Sequence, residues 1–226
     1  MTRPSQIFRL CISLCLLLAG GKVWAQDSVK VKSKWIPTGL RIGYEIISPI
    51  KSNTSTHFNG WEAIAETEIH RYLAVAEIGS WARNWQADNG STYENDGRYW
   101  RVGADVNFLT KDKDKNVFSL GFRYARSTFN ETSTLITQSE IWGDYISTRS
   151  NNNVSVGWAE LTTGLRVKVW KVFWLGCTAR FKFSNSITQN RDLLTTDIPG
   201  YGSTNKETTW GFGYYALFRI PLKKSK

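Results

Sequence analysis

Fifteen ionisable side chains recur at alternate positions between residues 41 and 219: Arg41, Glu45, Glu62, Glu66, Glu68, Glu77, Arg101, Asp105, Arg123, Glu160, Arg166, Lys168, Arg180, Lys182 and Arg219. Eight are basic and seven acidic, so the set almost neutralises itself. Such a set can form a structural network, because each buried charge needs partners that offset its desolvation. Its alternative chemistry is a proton or ion pathway. A second group with chemical potential is His57 beside Ser52 and Ser55, the parts of a base and a nucleophile. No acidic residue has a spacing that would orient His57, so it reads as a weak catalytic candidate and otherwise as a solvated loop histidine. His70 belongs to a two-residue turn at the opposite end and cannot share a metal with His57. Lys111-Asp112-Lys113-Asp114-Lys115 interleaves lysines with its carboxylates, which cancels the charge that a calcium loop needs. No metal and no cofactor are expected.

The elements that must position these groups are strands. Apolar and polar residues alternate over Thr38 to Ile47, Trp61 to Ile69, Tyr72 to Trp81, Tyr99 to Leu109, Val117 to Ser127, Ala159 to Trp170, Val172 to Ser184 and Thr209 to Ile220. One face of these runs is bulky and apolar, for example Trp100, Val102, Val106 and Phe108, or Phe118, Leu120, Phe122 and Tyr124. The other carries the charges. Gly39, Gly43, Gly79, Gly103, Gly121, Gly164, Gly176, Gly211 and Gly213 all fall on the charged face. An eight-stranded barrel has an interior only just wide enough for side chains. Long Arg and Glu side chains fit there if neighbouring positions lack side chains, whereas the apolar set would overpack it. The charged face therefore points inward and the apolar face into lipid.

Connections between the runs alternate 13, 2, 17, 7, 31, 1 and 24 residues. Long loops on one side and short turns on the other are the pattern of outer-membrane barrels, with an even strand number and both termini in the periplasm. The expected fold is all-β, an antiparallel up-and-down transmembrane β-barrel of eight strands. Ten is the alternative if the apolar pairs around Gly143-Asp144 continue into the membrane rather than stand above it as a hairpin. Trp61, Trp100 and Trp210 would mark the outer interface, and Tyr72, Phe108, Phe118 and Phe218 the inner one. Trp174, Tyr215 and Leu217 would help to fill the lumen. Specific recognition is expected in the loops, with Trp142, Tyr145 and Tyr201 as candidate contacts.

Arg3 and Arg9 precede the apolar run Leu10 to Ala19, and Val23-Trp24-Ala25 offers a cleavage point, so residues 1–25 read as a signal peptide. Residues 26–35 then form a periplasmic segment, 36–222 the barrel and 223–226 a basic tail. Cys11 and Cys15 leave with the signal, and Cys177 alone cannot form an intramolecular disulfide. The formal charge of +10 invites a nucleic-acid reading. Its excess, however, gathers at the periplasmic rim (Lys30, Lys32, Lys34, Arg71, Lys111, Lys113, Lys115, Lys171 and the tail), where anionic phospholipid headgroups explain it. Mean hydropathy of −0.34 excludes a helical membrane protein, and an aromatic content of 14% a disordered one.

Leu40-Arg41-Ile42-Gly43-Tyr44, Tyr99 to Val106, Phe118-Ser119-Leu120-Gly121-Phe122-Arg123-Tyr124 and Gly213 to Arg219 resemble the small eight-stranded outer-membrane β-barrel proteins of Gram-negative bacteria. The resemblance is a pattern over most of the chain, not a signature motif. It implies residence in the cell outer membrane, lipopolysaccharide contact outside and phospholipid inside, assembly by the barrel-insertion machinery, a monomer, and a structural or adhesive role. Some members of that class are lipid A acyltransferases or deacylases using a His, a Ser and a carboxylate, which keeps a lipid A-modifying enzyme as the alternative through His57, with a narrow channel as the second. One departure stands out. Such barrels usually end in an aromatic residue, whereas Phe218 is followed by Arg219-Ile220-Pro221-Leu222 and Lys-Lys-Ser-Lys. Either the last strand is recognised internally or it lies elsewhere.

Overall fold

The structure, a computed structural model, describes residues 36–137, 143–184, 193, 195–205 and 207–222. The expected signal peptide, the whole N-terminal segment 26–35, Trp142 and the basic tail lie outside the described residues. Eight antiparallel strands close on themselves: β1 (Gly39–Glu45), β2 (Phe58–Ile69), β3 (Tyr72–Gln86), β4 (Thr92–Asn107), β5 (Val117–Thr137), β6 (Tyr145–Trp170), β7 (Phe173–Phe183) and β8 (Thr208–Pro221). Each pairs with its sequence neighbours, and β1 pairs with β8 to complete the barrel. The last strand therefore lies where the alternation put it, despite its non-aromatic end.

Closure leaves no edge along the paired length, which is what hydrocarbon requires of a sheet. Ile42, Val102, Leu120, Phe122, Leu165, Val167 and Phe218 project outward and are exposed. Trp61, Trp100 and Trp210 are exposed near one end, with Tyr72, Phe108 and Phe118 near the other. An apolar exterior around a charged interior inverts the soluble arrangement and identifies a transmembrane barrel.

The glycines make the inversion sterically possible. A Cβ at Gly176 would sit 2.5 Å from Arg166 Cδ, and one at Gly211 2.8 Å from Lys182 Cε. At Gly103 it would meet the Phe122 carbonyl and Arg123, and at Gly121 the Asp105 carboxylate. Each glycine yields its space to a neighbouring strand's long side chain.

The strand ends at the short turns agree with the alternation, but most ends on the long-loop side run further. β5 and β6 remain paired to Thr137↔Tyr145, so the long third loop is largely an extension of the same hairpin and adds no ninth or tenth strand. β3 and β4 similarly reduce the second loop to Ala87–Ser91. Beyond the apolar band the outward face turns polar, so the apolar–polar alternation fades from the sequence while pairing continues. Hydroxyl pairs Thr132–Ser150 and Thr134–Thr148 replace apolar contacts there, at 3.2 and 3.1 Å. The first loop holds a helix, α1 (Ile47–Thr54), which the sequence reading did not anticipate. β1 correspondingly stops at Glu45 rather than Ile47, because the Glu45 carboxylate accepts the Ile47 and Ser48 N–H groups at 2.9 and 2.6 Å and so starts the helix.

Candidate functional site

The strand register brings the charged face of every strand into one bore, whose middle is spanned from wall to wall by ion pairs. Arg101 on β4 reaches Glu62 on β2 at 2.7 Å, Glu77 on β3 at 3.0 Å and Glu160 on β6 at 3.1 Å. Arg180 on β7 meets Glu77 and Glu62 at 3.0 and 3.2 Å. Arg123 joins Glu77, and also Asp105 at 3.0 Å. Tyr99 donates to Glu62 at 2.7 Å, the Tyr215 hydroxyl bridges Glu62 and Arg180, and the Trp158 indole donates to Glu160 at 2.6 Å. All these groups are buried. Coulomb attraction at such distances in a poorly solvated bore offsets desolvation only because each carboxylate has several donors.

Below this tier Arg166 pairs with Glu66 at 2.7 Å, while Glu68 holds Arg41 at 2.5 Å and Arg219 at 2.7 Å. Ile64, Leu73, Val75, Val117, Trp174, Tyr215 and Leu217 pack around it as a small apolar cluster. Three of the predicted lumen residues take other parts. Glu45 starts α1. Lys168 lies at the rim, paired with Asp114 at 3.1 Å. Lys182 donates to the Gly200 and Tyr201 carbonyl oxygens at 2.8 and 2.9 Å and makes no ion pair among the described residues.

Above the ionic tier the described part of the β7–β8 loop folds down as a cap. Asp197–Ile198 and Gly202–Ser203 form a short ladder, and Gly200, at φ +83°, is held by Arg101 at 2.9 Å as well as by Lys182. The sequence reading presents Tyr201 as an exposed anchor; it is instead 1% exposed, edge-on to Trp158 with ring centroids 5.6 Å apart, its hydroxyl donating to the Glu207 carbonyl at 2.8 Å. The apolar cluster of Tyr99, Phe129, Val156, Trp158 and Ile198 captures it, because burying an aromatic ring is worth more than displaying it. Tyr145 is 68% exposed at the start of β6.

Glu131 was missed by the sequence reading although the inward parity of Arg123 and Ser127 extends to it. It receives the Tyr93 hydroxyl at 2.8 Å, Thr195 at 2.7 Å and Asn151 at 2.8 Å, tying the hairpin to the cap. Asp197 pairs with Arg83 at 3.2 Å, yet its burial outweighs that cation and raises its pKa. Lys51 on α1 has its pKa lowered, by desolvation first and then by Arg83.

His57 is exposed and its Nδ1 lies 3.0 Å from Asn84 Oδ1. Ser52 donates to the Ser48 carbonyl and accepts the Gly60 N–H, both at 2.8 Å, while Ser55 accepts the His57 N–H at 3.3 Å. The two serines thus serve the local backbone, and the histidine ring faces an amide. His57 shares a cleft with Glu94 and Asp96. His70 occupies the β2–β3 turn at φ +58°, and Asp112 accepts the Asn116 N–H at 2.9 Å, so that segment is a turn stapled by its own aspartate.

A family model described as "Domain of unknown function (DUF6048)" matches residues 5–225. No curated protein sequence matches the chain. Among solved structures, the barrel is similar to Acinetobacter baumannii CarO2, at 13% identity over 83% of this chain and 100% of that one with a TM-score of 0.45. It is also similar to Ail, the attachment invasion locus protein of Yersinia pestis, solved with the heparin analogue sucrose octasulfate (9% identity, 81% and 97% coverage, TM-score 0.36). The third is Neisserial surface protein A (10% identity, 82% and 96% coverage, TM-score 0.36).

Proposed function

We propose that this chain, which belongs to the DUF6048 family, is a monomeric bacterial outer-membrane barrel with a structural and adhesive role, displaying its β5–β6 hairpin as the contact surface. The observation that carries this reading is the length of that hairpin. A membrane-spanning β-strand needs about 9–11 residues, whereas β5 has 21 and β6 has 26. The surplus is paired and therefore stiff, and Leu135, Tyr145 and Ile146 are exposed near its end. A rigid, partly apolar projection loses little conformational entropy on contact.

The bore beneath supports a scaffold rather than a route for solutes, since Arg101, Arg123 and Arg180 cross it to carboxylates on facing strands. Lipopolysaccharide is the lipid partner outside and phospholipid the partner at the basic periplasmic rim. The barrel-insertion machinery acts during assembly, and the N-terminal signal directs export.

Cells carrying the full chain and a version with residues 132–150 replaced by a tight turn test the reading. Both proteins are expected in the outer-membrane fraction with heat-shifted gel mobility, and only the full chain is expected to promote attachment to surfaces or between cells. Recovery in the soluble periplasm, or equal attachment by both versions, overturns it.

A further inference from the structure

The barrel wall is incomplete at its outer end. β1 pairs with β8 only as far as Glu45↔Tyr215, with one further bond from Ile46 N to the Tyr214 carbonyl at 2.8 Å. There the chain turns into α1, which packs on β2, while β8 continues to Thr208 paired with β7 alone. The backbone groups of Tyr214 face β1, so those of Phe212 and Trp210, at the same parity, face the seam with no strand opposite among the described residues. Phe212 is 70% exposed on the outer side of this seam.

Behind the seam lies a cavity of about 180 Å³, lined by Ile47, Phe212 and the exposed Lys51 at its mouth, by the half-buried Arg83, and by the buried Lys182 within. Arg101 and Arg180 add to its wall. Its two carboxylates are committed, Glu45 to the start of α1 and Glu62 to Arg101, Arg180, Tyr99 and Tyr215. Lys182 is 6% exposed and uses two of its three ammonium hydrogens on carbonyl oxygens. Lys51 lies over the Phe58 ring at 4.5 Å. The arginines around the cavity are paired, so Lys182 and Lys51 are its cations without an ion pair among the described residues, and its volume is roomy enough for a head of a few heavy atoms.

We infer that the seam admits a single-chain anionic amphiphile, its carboxylate or phosphate head held by Lys182 and Lys51 and its acyl chain lying over Phe212 in the membrane. Gly211 and Gly213 line the cavity and make room for the Lys182 ammonium and the Arg180 and Tyr215 side chains against the inner side of β8. The inference rests on the membrane reading above and adds a ligand class to it.

The test uses the full mature chain in uncharged detergent micelles with dansyl-undecanoate as the fluorescent probe. Saturable binding is expected, displaced by oleate or 1-oleoyl-lysophosphatidate, the more effective of the two identifying the head. Oleyl alcohol, which lacks the charge, is expected not to displace it. Lys182→Met should weaken binding at least tenfold and Lys51→Met several-fold, each with heat-shifted mobility retained; if Lys182→Met fails to fold, Lys51→Met on α1 carries the test. Displacement by oleyl alcohol, unchanged affinity in the folded variants, or equal displacement by inorganic phosphate alone overturns the proposal. Absence of binding in a chain that keeps its heat-shifted mobility removes the ligand and leaves the barrel reading standing.

Discussion

The Arg101 guanidinium donates to the Gly200 carbonyl oxygen at 2.9 Å while holding Glu62, Glu77 and Glu160. One side chain therefore joins the ionic centre of the bore to the loop that caps it.

Replacing Arg101 by Met leaves three buried carboxylates short of a partner. Removing one member of a buried ion pair costs about 3–5 kcal/mol, so the heat-shift midpoint in micelles is expected to drop steeply. Lys168→Ala, which removes a largely solvated rim pair, is expected to cost under about 1 kcal/mol. Equal midpoints for the two variants would show that the central network contributes no stability.

Gly103→Ala places a methyl group against the Phe122 carbonyl and the Arg123 backbone, neither of which can move without breaking the wall. Overpacking of this kind costs about 1–3 kcal/mol. At Gly164 the nearest atom is the Ser119 hydroxyl at 3.1 Å, which can rotate away, so Gly164→Ala is expected to refold nearly as the parent does. Refolding yields measured side by side on gels decide the point.

Tyr201→Ala empties the space beside Trp158, and losing a buried aromatic side chain costs about 3 kcal/mol. The cap should undock while the barrel stays closed, seen as faster proteolysis of the last extracellular loop with heat-shifted mobility unchanged. Tyr145→Ala, at an exposed position, should leave both readings as they were. A cap that resists protease equally in the parent and in Tyr201→Ala would remove Tyr201 from its anchoring role.

Asp197 supplies a pH dependence whose sign follows from its raised pKa. The folded state holds that proton more tightly than the unfolded chain does, so its contribution is fully present below the ordinary aspartate value and is lost as pH rises through the raised one. Relative to Asp197→Asn, which cannot titrate, the parent is expected to lose cap stability across that interval. Parallel midpoints at every pH would contradict it.

Much of this was readable in the residues. The parity of Trp100, Val102 and Phe108 against Arg101 and Asp105, with glycines confined to the charged side, determined strand identity, inside and outside, and most of the lumen residues. Parity is a property of the extended backbone, so it survives without knowledge of neighbours. It becomes hard to read where the outward face turns polar, as at Asn130, Thr132 and Thr134, which is why the outer halves of β5 and β6 read as loop and Glu131, although buried and of inward parity, went unmarked.

Tertiary structure alone decided which carboxylate meets which guanidinium, because register across the bore depends on barrel closure and not on spacing along any one strand. It also turned Tyr201 from an apparent surface anchor into a buried plug and made Glu45 the start of a helix. Among the described residues it left Lys182 without an ion pair, behind the stretch of β8 that pairs with β7 alone. The ion pairs join groups far apart in sequence, such as Arg180 and Glu62, 118 residues apart, which meet only when the barrel closes.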